Sequence, residues 1–103
     1  HDKGGGMMRI QAYTGETINI KLVVENLDTL VDAIGKFAVR GRDGEMVNKD
    51  CTIDDNALLV TLEPSETMIA GSYTYEFRIK IGTEVDSLII DKLIINESVI
   101  KEV

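Results

Sequence analysis

The sequence predicts an all-β domain, a sandwich of two sheets with about seven antiparallel strands, and three observations carry that expectation. Tyr73 to Ile81 alternates without error, with Tyr73, Tyr75, Phe77, Ile79 and Ile81 to one side and Thr74, Glu76, Arg78 and Lys80 to the other. Period two is the mark of a strand with one face buried and one face wet. Similar runs recur along the chain, separated by short polar turns, which is the spacing of an all-β fold. The length of 103 residues, 44% of them hydrophobic, supplies one core and leaves no room for a second domain.

The elements follow in chain order. His1 to Gly6 has no apolar content and reads as an expression leftover, so residues 7–103 are expected to form the domain. A short strand is expected near Arg9 to Tyr13, before Gly15. Thr17 to Glu25 places Ile18, Ile20 and Leu22 on one face, with Asn19 and Lys21 opposite. Leu27 to Ile34 has apolar residues at helical spacing over about two turns, too short to hold alone, and reads as a connector or a single helical turn. Gly35 to Arg40 turns Phe37 and Val39 inward. Asp43-Gly44 is a tight-turn signal leading into a short strand from Met46 to Lys49. After the turn at Asp54-Asp55-Asn56, Ala57 to Leu62 buries Leu58, Val60 and Leu62. Pro64-Ser65-Glu66 predicts one helical turn crossing between sheets, because proline suits a first helical position. The last strand spans Asp86 to Ile95. It is apolar on both parities, and a β-bulge at Asp91-Lys92 is expected to turn both charges outward. That register leaves Ile89 and Ile94 facing water, an expected interaction surface, unless loops or the tail from Ser98 to Val103 cover them.

Composition excludes several functions. Eighteen acids against eleven bases give a net charge of −7, which repels phosphate backbones and argues against nucleic acid. No apolar run is long enough to span a membrane. With His1 set aside, no serine or cysteine has an imidazole to activate it, so catalysis is not expected. Cys51 beside Asp50 reads as a packing residue, since a neighbouring carboxylate raises a thiol pKa. No cofactor motif is present. Between Asp43 and Glu66 lie seven acids and one base, Lys49. Asp50, Asp54, Asp55 and Asn56 carry oxygens of the kind calcium takes, but their spacing matches no recognised calcium loop. A solvated rim that orients docking is the expectation for this stretch.

Leu62-x-Pro64-x-x-Thr67-x-x-Ala70-Gly71-x-Tyr73-x-Tyr75 resembles the crossing into a late strand of an immunoglobulin-type sandwich. The resemblance implies a tyrosine corner in which Tyr73, just after Gly71, returns its hydroxyl to backbone between Pro64 and Met68. Tyr75 and Phe37 stand roughly where antibody domains carry a disulfide cysteine and a tryptophan. Nearly the whole chain after Met8 is similar to the immunoglobulin-like modules of phage tails, above all the N-terminal domain of the baseplate upper protein family. Gly15-Glu16, Asp43-Gly44, Gly71-Ser72-Tyr73-Thr74-Tyr75 and Ser98-Val99 carry that similarity in order. It implies a non-enzymatic tail or baseplate protein of the virion, made in the bacterial cytoplasm. Its expected partners are other tail proteins, with a homo-oligomer as a further expectation. The alternative is a binding module of a bacterial surface adhesin or carbohydrate-binding protein. Against sugar binding, alternation turns Phe37, Tyr73, Tyr75 and Phe77 inward and leaves Tyr13 as the one aromatic for stacking. An inhibitor that mimics acidic surfaces rests on bulk charge alone.

Overall fold

The alternating runs become strands in the computed structural model, which describes residues 8–25, 32–42 and 44–100. In chain order these are β1 (Ile10–Tyr13), β2 (Ile18–Val23), β3 (Ala33–Gly41), β4 (Gly44–Asp50), β5 (Thr52–Asp54), β6 (Ala57–Leu62), β7 (Gly71–Ile81) and β8 (Glu84–Asn96). One sheet has the order β1-β8-β7-β3-β4, and the other β2-β6-β5. Their apolar faces pack together as an immunoglobulin-like β-sandwich. The chain changes sheets at Cys51, the single residue between β4 and β5, and again through one 3₁₀ turn at Pro64–Glu66.

Two details differ from the expected seven antiparallel strands. β5 makes an eighth; it is three residues long with only Ile53 turned toward the core, too short to show a period. β1 pairs with β8 in parallel, because the turn after Tyr13 carries the chain to the opposite sheet instead of folding it back as a hairpin. Alternation assigns faces, and strand direction comes from connectivity.

The core sits between β3, β7 and β8 on one side and β2 and β6 on the other. Phe37, Tyr75 and Phe77 are fully buried, with ring centroids 4.9 to 6.0 Å apart and tilted or edge-on faces, the arrangement aromatic quadrupoles favour. Against them lie Ile18, Ile20, Leu58, Val60 and Leu62. Gly35 lets the start of β3 approach β6 closely. A Cβ there would stand 2.7 Å from Leu58 Cδ2 and 3.1 Å from Cys51 Cβ.

The expected helical connector over 27–34 lies mostly outside the described residues; Ala33 and Ile34 belong to β3. His1 to Gly6 and Asp43 also lie outside them, while Gly41 and Gly44 pair across the β3–β4 turn. No helix among the described residues is long and apolar enough to cross a membrane.

Candidate interaction surface and its supports

The crossing from β6 to β7 is held by polar groups that close on backbone. The Tyr73 hydroxyl donates to the Ile69 carbonyl at 2.6 Å. The corner therefore reaches four residues back, one position beyond the expected Pro64 to Met68 window, because Met68 and Ile69 bend outward, 60% and 70% exposed. Gly71 lies beside the ring; a Cβ there would meet the Tyr73 hydroxyl at 3.5 Å, an ordinary contact. Pro64 opens the 3₁₀ turn, and its carbonyl accepts from the Thr67 N–H at 3.1 Å.

Thr67 is the fully buried polar residue of this crossing. Its hydroxyl donates to Glu16 O at 2.9 Å and reaches Pro64 O at 3.2 Å, while its own carbonyl accepts from Gly15 N at 3.0 Å. These bonds tie the crossing to the β1–β2 turn.

Lys49, the lone base of the acidic stretch, joins the two sheets at their edge. Its Nζ donates to Thr61 O of β6 at 2.7 Å and pairs with Glu66 at 2.6 Å. Burial opposes the charge on Glu66, but the bond from Lys49 and the Glu63 N–H outweigh it and hold the carboxyl below its usual value. The other acids of the stretch disperse. Asp50 pairs with Lys36 on the outer face of the larger sheet, Asp54 ends β5, and Asp55 sits in the β5–β6 turn. Among the described residues no three His, Cys, Asp or Glu side chains converge on a metal position. Cys51 is half-buried, and burial first, then Asp50, raises its thiol pKa to about 11.

β8 requires the main correction. Its bulge falls at Leu88, between the pairs Phe77–Ile89 and Arg78–Ser87, and not at Asp91-Lys92. Asp91 then faces inward opposite Tyr75, a position that is costly for an unpaired carboxylate. It is paired: Oδ2 accepts from Met8 N at 2.6 Å and Oδ1 from Lys92 N at 2.7 Å, and these bonds lower its pKa. The Tyr75 hydroxyl donates to the Met8 carbonyl, so the two side chains clamp both backbone groups of the residue leading into β1. Burial, then Asp91, raises the Tyr75 pKa to about 12, which keeps the phenol a donor.

The shifted bulge moves the expected surface. Ile89 turns toward the core and is half-buried, and Ile94 faces outward but is half-buried beside Gln11 of β1. The exposed isoleucine of β8 is Ile90, at 61%. The tail does not cover this strand where it is described: Ser98 N donates to the Thr14 hydroxyl, and Val99 and Ile100 point to solvent.

The register of β8, β7 and β3 assembles one outward face. From the β7–β8 turn, its rows are Val85–Lys80–Ile34, Ser87–Arg78–Lys36, Ile90–Glu76–Ala38 and Lys92–Thr74–Arg40. Ile34 and Val85 are 53% and 50% exposed. Five exposed cations, Lys36, Arg40, Arg78, Lys80 and Lys92, share this face with Glu76 and Asp50. Glu76 is held below its usual pKa by Ser87, then by Arg78, with burial opposing. Five cations against Glu76 and Asp50 leave the face a surplus of positive charge on a chain of net −7. Neither Ile90 nor this charge inversion is visible in alternation, which cannot locate a bulge.

The smaller sheet's outer side offers two shallow hollows of about 210 and 390 Å³ floored by Leu59 and Val60. Phe37, Tyr73, Tyr75 and Phe77 are buried, and Tyr13 is 53% exposed.

No protein-family model matches the chain, and no curated protein matches it significantly. Among solved structures it is similar to a chain described as "a putative glycoside hydrolase from Bacteroides vulgatus", with a TM-score of 0.51 and 12% identity. The match covers 84% of this chain and 16% of that one, and it is a likeness of fold.

Proposed function

We propose that this chain is a non-enzymatic structural protein of a phage or prophage tail or baseplate, acting by protein–protein assembly in the virion. The observation that supports assembly is the outward face of β8, β7 and β3, where Ile34, Val85 and Ile90 stand exposed among cations. Apolar residues rimmed by charge are the composition of a docking surface. The tail assignment draws on the ordered similarity of Gly15-Glu16, Asp43-Gly44, Gly71 to Tyr75 and Ser98-Val99 to tail modules. The work is geometric complementarity, with no turnover and no cofactor.

Immunodetection on particles purified from the induced bacterium that carries the gene tests this reading. The chain is expected in the particle fraction at a fixed ratio to the major tail proteins. Its confinement to the soluble lysate would refute the tail assignment. Val85→Lys with Ile90→Lys is expected to reduce incorporation while leaving the fold intact by circular dichroism.

A further inference from the structure

We infer that the outward face of β8, β7 and β3 docks the acidic end of a second copy of this chain, in a head-to-tail contact that repeats. This rests on the assembly reading above and names its partner. The acidic end gathers the β5–β6 and β7–β8 turns with the end of β2 and the start of β3. β2 ends and β3 begins there, since Val23 pairs Ala57 and Val24 N donates to Asn56 O at 2.8 Å. The β7–β8 turn joins them, since Ala33 pairs Ile81. Glu25, Asp32, Asp54, Asp55, Glu84 and Asp86 are all exposed at this end. The described residues of these turns, 24–25, 32, 55–56 and 82–83, include no cation.

Charge decides between the possible arrangements of two copies. A two-fold contact would set Lys36, Arg40, Arg78, Lys80 and Lys92 against themselves, which like-charge repulsion disfavours. The outer side of the smaller sheet offers Lys21 and Asp54, close to neutral. The acidic end complements the face in sign with no cation in its described turns, whereas the opposite end sets Glu16, Glu63, Glu66 and Glu97 beside Lys49 and Arg42. With strands about 4.8 Å apart and about 3.3 Å of rise per residue, the three strands of the face cover on the order of 400 Å², about half the share one partner gives to a standard interface, so the contact is a weak, concentration-dependent one. Because the two surfaces differ, the contact leaves one of each free and extends into a ring or a filament. Ile34, Val85 and Ile90 supply the apolar part of the contact.

Sedimentation velocity on the purified chain from about 10 to 500 μM tests the inference, at about 0.15 M and 0.6 M salt. The sedimentation coefficient is expected to rise with concentration at the lower salt and much less at the higher. Lys80→Glu with Lys92→Glu reverses the face; neither lysine takes part in an ion pair described above. Asp54→Lys with Glu84→Lys reverses the end. Each double variant alone is expected to stay monomeric, and mixing the two in equal amounts is expected to restore association, because each then meets its opposite. A wild type that is monomeric throughout, variants that associate unchanged, or a mixture that stays monomeric would each overturn it. If the chain still enters tail particles in that case, the assembly reading stands with a different partner. Self-association by a chain absent from particles would refute the tail assignment alone.

Discussion

Thr67→Val removes one hydroxyl from a fully buried site and leaves the shape almost unchanged. Two carbonyls lose a donor. Pro64 O keeps the Thr67 N–H at 3.1 Å, so its loss is small. Glu16 O loses the bond made at 2.9 Å and is left partly buried. A net hydrogen bond is worth about 0.5–1.5 kcal/mol, and an orphaned buried acceptor raises the cost to about 1–3 kcal/mol. Thr67→Ser keeps the donor and gives up a methyl, worth about 0.8 kcal/mol. The order of stability is therefore wild type, Ser, Val. Urea melts with a shared m-value measure it, and thermal midpoints are expected to separate by about 4–8 °C per kcal/mol for a domain of this size. A Val variant as stable as wild type, or a Ser variant less stable than Val, would refute the role given to the hydroxyl.

Tyr73→Phe deletes the bond to Ile69 O and is expected to cost about 0.5–1.5 kcal/mol, whereas Tyr73→Ala opens a cavity costing about 3–5 kcal/mol; an unshifted urea midpoint for Phe would remove the corner. Gly35→Ala forces a methyl to 2.7 Å from Leu58 Cδ2 and is expected to cost about 1–3 kcal/mol, with partial recovery when Leu58→Val is added, read by thermal melts. Glu66, Glu76 and Asp91 have native pKa values below their ordinary 4.5, 4.5 and 3.8, so the unfolded chain binds more protons through that range. Their contribution is complete above those ordinary values and is lost as pH falls through the native ones. Urea midpoints should fall in that window, and Asp91→Asn should flatten the slope; a midpoint constant from pH 7 to pH 3 would contradict the assigned bonds.

How much was legible differs from strand to strand. β6 and most of β7 were readable because one face is buried from Leu58 to Leu62 and from Tyr73 to Ile79, which imposes period two on the residues; Ile81, expected on the same face, is 42% exposed at the end of β7. Pro64 marked the 3₁₀ turn for the same kind of local reason, its fixed φ. β8 was readable as a strand but not in register. Whether Asp91 can face inward depends on a donor 83 residues away, the Met8 N–H, and nothing near Asp91 in sequence reports that. Once Asp91 is satisfied, the bulge moves to Leu88, Ile89 packs inward and Ile90 becomes the exposed side chain. Lys49 gave a partial signal, as the lone base among acids, though its reach to Thr61 O needed the two sheet edges side by side.

The sequence alone determined the sandwich, most of its inward residues and the crossing at Pro64 to Tyr73, because each depends on a local period or a local backbone preference. Tertiary structure decided the parallel seating of β1, the clamp on Met8 and the sign of the outer face. Those depend on which strands become neighbours. A chain of net −7 presents a positive face because the cations of β3, β7 and β8, scattered over more than fifty residues, fall into adjacent rows only after the strands pair.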